Sequence, residues 1–510
     1  MKKFIRKLLL FKLAVFGCVA LLAACSKLND RQDITMPEYI KPYKAITDRN
    51  PIMTHTFGAD PGVLVYNERV YIYMTGDTLD YEEDGTVKQN NYGNINTIRV
   101  VSSADMANWT YHEPVKVAGN EGAARWARLS WAPCAAYKQV DGQDRFFLYF
   151  SNNAGGIGVL TAANPLGPWV DPLGRELINR QTPNCSDIPW LFDPAVFIDD
   201  DGKGYLYFGG GIPQGREANP GSARVVLLGD DMISLAGDPA RIDAPFFFED
   251  SGVNKINGKY FYSYCTNWNV TDAAKREYGI DNAVIAVMSS NSPMGPFTHE
   301  GTVLKNPGVF FGYWGNNHHC IFEFKEKWYI AYHSQVLEEA MGIHSKGYRI
   351  THVDAVTVSG GKIQEVTGTR RGVQQIGHLN PFVWHSGAES GVSAGLSFGS
   401  IRFPDSSEPL EYAVISENGS WLGVYGADFG ELGANSITIN TRAGQVNGSY
   451  RTEIRLGSPS GEIAGTLTSP LGPSFANYTV KLTKTVKGIQ DVYFVFHGGI
   501  MNFGGWQFGE

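Results

Sequence analysis

The chain has 510 residues, of which 13% are aromatic and 59 are glycine, and its formal net charge is -8. The length exceeds that of one ordinary domain, so two domains are expected. The negative charge, without a basic stripe to neutralise phosphates, argues against a nucleic-acid-binding protein and is compatible with a neutral substrate. An aromatic- and glycine-rich composition with 18% charged residues is typical of a globular all-β protein with many turns.

The first 25 residues form an export signal rather than part of the fold. Basic residues precede an apolar stretch from Leu8 to Ala24, which ends in Leu22-Ala23-Ala24-Cys25. This ending resembles the cleavage box of bacterial lipoproteins, in which Cys25 would become the lipidated first residue; an ordinary secretory signal with a chance cysteine is the alternative. We therefore expect an exported protein that a lipid anchor holds at a bacterial membrane, at the outer membrane or cell surface. Residues 26–46 are polar and are expected to form a linker.

A strand-rich unit recurs five times in the next part of the chain, which we assign to one domain spanning residues 47–382. Each unit contains a core rich in aromatic and β-branched residues after a short polar turn. The five cores are Val70-Tyr71-Ile72-Tyr73, Phe146-Phe147-Leu148-Tyr149, Tyr205-Leu206-Tyr207-Phe208, Tyr260-Phe261-Tyr262-Ser263 and Trp328-Tyr329-Ile330-Ala331. A unit that repeats every ~40–70 residues predicts a β-propeller, because one blade cannot bury its faces alone.

A second short segment precedes each strand core. These segments are Ala59-Asp60-Pro61, Ser130-Trp131-Ala132-Pro133, Phe192-Asp193-Pro194, Phe248-Glu249-Asp250 and Asn317-His318-His319. In a propeller the same position of every blade points at the central axis. We therefore expect three carboxyl groups (Asp60, Asp193 and Glu249), an aromatic ring (Trp131) and a histidine (His318) to meet in one small space.

Hydrolysis of a glycosidic bond needs two carboxyl groups in opposite protonation states, one to activate water and one to protonate the departing oxygen. A third acid nearby can raise the pKa of the proton donor by like-charge repulsion. The apolar flank of Glu249 favours its protonated form, whereas Asp60 precedes a proline in a loop where backbone donors can stabilise the ionised form. Trp131 would offer its face to a sugar ring. Taken singly, each acid is compatible with a turn or surface residue and Trp131 with a core residue.

After Phe382 the composition changes. A segment of small and polar residues is followed by short strands of alternating apolar and polar residues, such as Tyr450–Leu456 and Val492–Phe496. About 125 residues of this kind predict a β-sandwich module, of jelly-roll type, over residues 383–510. The overall fold class is therefore all-β, with a propeller followed by a sandwich.

The five segments expected at the propeller axis resemble glycoside hydrolase family 43, and within it the arabinofuranosidases acting on arabinoxylan. Two of the matching stretches are longer than the segments themselves: Phe192-Asp193-Pro194-Ala195-Val196-Phe197-Ile198-Asp199-Asp200-Asp201-Gly202 and His318-His319-Cys320-Ile321-Phe322. The resemblance implies a five-bladed propeller and an inverting mechanism. It implies that Asp60 is the general base, Glu249 the general acid and Asp193 the residue that tunes the pKa of the acid. One departure is Asp250, where relatives carry a small residue; we prefer Glu249 as the acid because strand alternation would turn its neighbour away from the axis.

The same resemblance suggests further site residues. His318 matches an axial histidine that holds a calcium ion or a water; no other cofactor is expected. Arg349 matches an arginine close to the acids. Candidate aromatic contacts for the substrate are Phe248, Tyr313 and Trp314, although Tyr313 and Trp314 are also compatible with core positions.

The C-terminal region resembles a family-6 carbohydrate-binding module, and the resemblance gives sugar-binding roles to Trp421, Asn502 and Trp506. Two departures are the missing glutamate-rich opening around His385–Glu389 and the closing Gly504-Gly505 in place of an Asp-Trp pair. The structural calcium of such modules is therefore expected to be lost, and the module either binds sugar or serves as a structural partner domain.

The sequence thus predicts an exo-acting α-L-arabinofuranosidase that removes side chains from arabinoxylan or a related plant polysaccharide, acting as a monomer. A β-xylosidase or an arabinanase of the same family remains open. A surface carbohydrate-binding lipoprotein with an inactive propeller is the alternative from another class.

Overall fold

The computed structural model describes residues 39–404, 406, 408–444, 450–468 and 470–510. The predicted signal, Cys25 and most of the predicted linker lie outside the described residues. Within the described part, no helix is both long enough and apolar enough to cross a membrane.

Five antiparallel sheets form the blades of a propeller in the first domain of the described chain. Blade 1 contains β1 (Ala59–Tyr66), β2 (Arg69–Thr75), β3 (Thr97–Ser103), β4 (Trp109–Tyr111) and the short β5 (Val115–Lys116). Blade 2 contains β6 (Trp131–Val140), β7 (Gln143–Ser151) and β8 (Ile157–Ala162). Blade 3 contains β9 (Ala195–Ile198), β10 (Gly204–Phe208), β11 (Ala223–Leu227) and β12 (Ala240–Ile242).

The last two blades carry the short helices of the described chain. Blade 4 contains β13 (Phe247–Ile256), β14 (Lys259–Thr266), β15 (Ile285–Ser290) and β16 (Thr298–Leu304), with α1 (Asp272–Tyr278) between β14 and β15. Helix α2 (Pro307–Phe311) leads to blade 5, which contains β17 (His319–Phe324), β18 (Lys327–Ser334) and β19 (Ile350–Val356), with α3 (Val336–Ala340) between the last two. A hairpin of β20 (Val358–Ser359) and β21 (Lys362–Ile363) follows.

The second strand of every blade is the aromatic core recognised in the sequence, and each contributes one fully buried tyrosine. These tyrosines are Tyr73, Tyr149, Tyr207, Tyr262 and Tyr332. A buried hydroxyl needs a hydrogen-bond partner, and each has one: Pro165 O, Met232 O, Pro293 O, Ser251 Oγ and Asp354 Oδ2, in the same order. The hydroxyls of the first three tyrosines donate hydrogen bonds to a turn of the following blade. These tyrosines therefore link neighbouring blades.

A β-sandwich follows, built from two sheets. One sheet contains β22 (His385–Ser386), β25 (Leu396–Ile401), β26 (Leu410–Ile415), β28 (Ala434–Ala443), β31 (Ala476–Val486) and β33 (Met501–Gly509). The other contains β24 (Val392–Ala394), β27 (Ser420–Asp428), β29 (Tyr450–Leu456), β30 (Glu462–Thr468) and β32 (Ile489–Gly498). In the chain, β23 (Glu389–Ser390) lies between β22 and β24 and pairs with β4. This connecting segment therefore adds a strand to blade 1 of the propeller.

The prediction of a linker over residues 26–46 is wrong for its described end. Tyr39, Ile40 and Ile46 pack against the sandwich, and Ile40 N donates to Gly419 O at 2.8 Å. Lys44 is buried, and its ammonium group donates to Pro51 O at 2.8 Å. The polar composition of this segment concealed the apolar side chains that dock it.

Candidate active site

A small pocket of about 110 Å³ opens at the ends of the propeller where the inner strands begin. Its wall contains the five residues that the repeat predicted to converge, together with four more from neighbouring segments. The lining residues are Asp60, Tyr92, Trp131, Phe192, Asp193, Glu249, Asn316, His318 and Arg349. The repeat therefore located the centre of the pocket correctly. Its volume is well below the roughly 300–1,000 Å³ of pockets for drug-sized ligands and suits one sugar residue.

The strands reach this pocket through strained backbone. Asp60 (φ 47°), Ala132 (φ 42°), Asp193 (φ 52°) and Asp250 (φ 61°) all adopt the left-handed conformation at the start of their blades. The strand register shifts at the same places in blades 1, 2 and 4. Such bulges redirect side chains next to active sites, at a cost on the order of 1–3 kcal/mol for each strained residue. Here they direct side chains toward the axis.

A closed ring of hydrogen bonds joins the five blades at this level. In each link, a side chain of one blade binds the backbone N–H at the start of the next blade. The acceptors and donors are His333 Nδ1 with Asp60 N (3.1 Å), Thr75 Oγ1 with Ala132 N (2.7 Å), Ser151 Oγ with Asp193 N (2.9 Å), Asp193 Oδ2 with Asp250 N (3.0 Å) and Asp250 Oδ2 with His319 N (3.1 Å). The strained backbone around the pocket is therefore fixed from blade to blade.

Asp60 lies beside the main positive charge of the pocket. Arg349 Nη1 donates to Asp60 Oδ1 at 2.8 Å, while Asp77 holds the other side of the guanidinium through Nε (3.0 Å) and Nη2 (2.8 Å). The guanidinium also lies over the ring of Tyr92. Burial raises the pKa of Asp60, but the charge of Arg349 together with the neighbouring His333 and His318 outweighs this effect and holds that pKa well below its usual value. Asp60 is therefore ionised at neutral pH.

The environment of Glu249 raises the pKa of its carboxyl group, whereas that of Asp60 lowers it. Burial, followed by the negative charges of Asp60 and Asp250, raises the pKa of Glu249 to about 8. Burial and the charge of Glu249 likewise raise the pKa of Asp193 well above its usual value. The pocket thus contains an ionised carboxylate and a carboxylic acid at neutral pH. Glu249 lines the pocket, and its Oε1 is buried and receives no hydrogen bond from the described residues.

His318 stands at the axis between these acids. Its Nδ1 lies 3.7 Å from Asp60 Oδ1 and 3.8 Å from Asp193 Oδ2, and its Nε2 lies 3.2 Å from Asp250 Oδ1. Burial lowers the pKa of His318, and the charges of Asp250 and Asp60 only partly offset this. Among the described residues, no group of three or more His, Cys, Asp and Glu side chains is arranged to hold a metal ion. The calcium ion or water expected at His318 stays a prediction, and the distances of 3.7 and 3.8 Å from its Nδ1 to Asp60 and Asp193 suit a bridging water.

The family comparisons agree with this geometry. The model of glycosyl hydrolases family 43 matches residues 48–361, and that of carbohydrate binding module (family 6) matches residues 407–510. An arabinoxylan arabinofuranohydrolase of Bacillus subtilis (strain 168) is 45% identical over 484 residues, which are 91% of this chain and 93% of the relative. The chain belongs to glycosyl hydrolase family 43.

Two further comparisons cover nearly the same length of this family 43 enzyme. An arabinoxylan arabinofuranohydrolase of Paenibacillus polymyxa is 44% identical over 478 residues, 90% of this chain and 74% of the relative. The crystal structure of a family 43 arabinoxylan arabinofuranohydrolase from Bacillus subtilis in complex with cellotetraose matches with a TM-score of 0.88 and 44% identity, over 92% of this chain and 99% of that one. The similarity therefore includes both the propeller and the sandwich.

Of the four aromatic residues predicted to contact the substrate, one lines the pocket, one is exposed near it and two pack elsewhere. Trp131 lines the pocket, held by its indole N–H to Tyr92 O at 3.1 Å. Trp314 is 58% exposed on the loop that leads to Asn316, as expected of a rim residue. Phe248 and Tyr313 do not line the pocket. The ring of Phe248 packs against Trp190, and Tyr313 packs against the core between blades 1 and 5.

Several residues of the site were not predicted from the sequence. They are the buried clamp Asp77, the pocket residues Tyr92, Phe192 and Asn316, and the hydrogen-bond acceptor His333. The one available signal for Asp77 was its place as a polar residue shortly after a buried strand, because β2 ends at Thr75, two residues before it. Phe192 lies in a repeated segment, directly before Asp193, whereas the others come from loops or strand ends outside those segments.

Two sugar-binding predictions in the family-6 module are wrong. Trp421 and Trp506 are both 0% exposed. The ring of Trp421 lies beneath the propeller and the docked N-terminal segment, with its N–H donating to Ile40 O at 2.7 Å, and Trp506 lies in the sandwich core, stacked on His385. Neither can offer a face to a ligand.

Asn502 lies on the outer side of its sheet, with its amide oxygen oriented toward Arg442 Nε at 2.9 Å. The aromatic rings near it are the half-buried Tyr412 and Phe475, whose centroids are 5.3 Å apart, with the Arg442 guanidinium 4.6 Å from the centroid of Phe475. An aromatic and polar surface therefore does exist on the module, built from side chains that the sequence analysis did not select.

Proposed function

We propose that this chain is an inverting, exo-acting α-L-arabinofuranosidase that removes arabinose side chains from arabinoxylan or a related plant polysaccharide. The observation that carries the proposal is the small pocket in which Asp60 is ionised and Glu249 is protonated at the same pH. The similarity to arabinoxylan arabinofuranohydrolases over nine-tenths of the chain supports this substrate. A β-xylosidase or an arabinanase with the same catalytic groups is the nearest alternative.

In this mechanism Asp60 accepts a proton from a water molecule as the water oxygen attacks the anomeric carbon. Glu249 donates its proton to the glycosidic oxygen as the bond between that oxygen and the anomeric carbon breaks. Single displacement inverts the configuration at the anomeric carbon. The cycle closes when Asp60 releases its proton to solvent and Glu249 takes one up.

The remaining pocket residues support these two steps. Asp193 accepts a hydrogen bond from Asp250 N at 3.0 Å, directly beside the acid, and so helps to hold Glu249 in place. Arg349 neutralises Asp60 and is itself held in place by Asp77, so the base keeps one orientation. Trp131 offers an aromatic face to the sugar ring, and the exposed Trp314 would contact the xylose that carries the arabinose.

Sugar release from wheat arabinoxylan tests the proposal. We expect the wild type to release arabinose, first seen by NMR as the inverted anomer, and Asp60→Asn and Glu249→Gln to lose on the order of 100-fold or more of this activity. Release of xylose would favour the β-xylosidase. Release of no sugar from arabinoxylan, arabinan or xylooligosaccharides would favour a carbohydrate-binding protein with an inactive propeller.

We also propose that Cys25 is lipidated and anchors the enzyme to a bacterial membrane. The sequence Leu22-Ala23-Ala24-Cys25 after an apolar stretch supports this. Metabolic labelling with a fatty-acid analogue should mark the wild type but not Cys25→Ala, and only the wild type should fractionate with membranes. Labelling that is equal in the two forms would contradict the anchor.

A further inference from the structure

The residue after the general acid, Asp250, has no place in the mechanism above, although it is completely buried directly below the pocket. In the pairing of β13 with β14, Glu249 faces Cys265 and Ser251 faces Tyr264, so Asp250 is skipped. This bulge, rather than simple alternation, turns Glu249 into the pocket and Asp250 beneath it. Because no strand partner holds residue 250, its left-handed backbone depends on its other contacts.

Those contacts link Asp250 to three blades. Its N–H donates to Asp193 Oδ2 in blade 3 at 3.0 Å. Its Oδ2 accepts from His319 N at 3.1 Å and lies 2.5 Å from His319 Nδ1, whose ring continues through Nε2 to Ser263 Oγ at 2.7 Å. Its Oδ1 lies 3.2 Å from His318 Nε2, at ion-pair distance but without hydrogen-bond alignment.

The glycine at position 252 leaves room for the His319 ring in this arrangement. A Cβ on Gly252 would lie 2.8 Å from Ser263 Oγ and 3.1 Å from His319 Nε2, so a side chain there would displace the His319 ring. A buried carboxylate costs several kcal/mol of desolvation unless hydrogen bonds compensate it. A small residue at position 250 would avoid that cost, but it would leave the link between blades 4 and 5 unmade.

We infer that Asp250 is a positioning residue of the catalytic centre: its carboxylate fixes the bulge that directs Glu249 into the pocket and orients His318 at the axis. This inference rests on the proposed function, because it assigns Asp250 to the acid side of the reaction. The backbone N–H holds Asp193 from one side, and the carboxylate holds blade 5 from the other. Without the carboxylate, residue 250 would be fixed on one side only, and Glu249 would lose its single orientation.

Asp250→Asn tests this role, because Asn keeps the size and also tolerates the left-handed backbone. Two substrates are compared: arabinoxylan, whose leaving oxygen needs the general acid, and 4-nitrophenyl α-L-arabinofuranoside, whose leaving group departs with little protonation. We expect kcat on arabinoxylan to fall on the order of 10–100-fold, with KM within about twofold, because small displacements of a catalytic group have effects of this size. The loss on the nitrophenyl substrate should be several-fold smaller.

The matched control is Asp354→Asn, which alters another buried carboxylate of the propeller, bound to Tyr332 and Thr369 away from the pocket. It should lower stability and leave the ratio of the two kcat values unchanged. That ratio does not depend on the folded fraction of a preparation, so it is informative even if Asp250→Asn folds poorly. An Asp250→Asn enzyme with the wild-type ratio would overturn the inference.

The wild-type arm of the same experiment tests the proposed function separately. If the wild type released xylose instead of arabinose, the comparison would be made with xylooligosaccharides and 4-nitrophenyl β-D-xyloside. A changed ratio would then support Asp250 while the arabinofuranosidase proposal failed.

Discussion

Replacement of Glu249 by Gln should inactivate the enzyme and stabilise it at the same time. Glu249 is buried among Asp60, Asp193 and Asp250, and its pKa is raised to about 8 from its ordinary value of about 4.5. Between these two values the folded state binds a proton that the unfolded state has released. Wild-type stability therefore falls as the pH rises from about 4.5 to 8, and Gln, which does not titrate, removes this loss.

The size of the effect follows from the pKa difference. Each pH unit above 4.5 costs the wild type up to about 1.4 kcal/mol, so the largest gain of Glu249→Gln at pH 7, relative to pH 4.5, is about 3 kcal/mol. The gain is an upper limit, because the Gln amide must also be buried. Activity on arabinoxylan should fall on the order of 100–10,000-fold, the usual contribution of a general acid.

Urea denaturation of both forms at pH 4.5, 7 and 8.5 measures the gain, with Glu323→Gln, an exposed glutamate of blade 5, as the matched control. The control should show the same difference from wild type at all three values. If the Glu249→Gln difference were equally constant with pH, burial would not raise the pKa of this acid. The assignment of protonation states in the pocket would then fail.

Further predictions concern the same pocket and the module. The kcat/KM of the wild type should fall about tenfold per unit above pH 8, as Glu249 loses its proton; a profile flat to pH 10 would contradict this. Asp77→Asn should lower kcat on the order of tenfold by loosening Arg349, and an unchanged kcat would exclude the clamp. Trp314→Ala should raise KM for arabinoxylan several-fold but not for the nitrophenyl substrate; equal effects on both would place Trp314 outside the acceptor site. Tyr412→Ala should reduce retention on insoluble arabinoxylan if the module binds sugar, whereas unchanged retention would favour a structural role.

The prediction of the pocket depended on recurrence. Asp60, Trp131, Asp193, Glu249 and His318 occupy the same position in successive units, and a propeller brings that position to one axis. Residues outside the repeated segments carried no comparable signal. Asn316 reaches the pocket from a loop, and His333, at the end of β18, binds Asp60 N and Asn316 O behind it.

Strand alternation predicted two faces in the sandwich but not what covers them. Trp421 and Trp506 both lie in strands with suitable aromatic and polar neighbours, but one is covered by the propeller and the other faces the core. The same rule placed Asp250 away from the axis. Asp250 does point away from the axis, as predicted, but a bulge in β13 and not regular strand alternation is the cause.

The sequence by itself determined the all-β fold class, the repeated blades and the set of acids, because these depend on local patterns and on their period. Only the tertiary structure decided the protonation state of each acid and the exposure of each tryptophan. Asp60 and Arg349 are 289 residues apart in the chain and 2.8 Å apart in the pocket. The pKa of a carboxyl group responds to such neighbours and to burial, and neither is recorded in the residues beside it in the sequence.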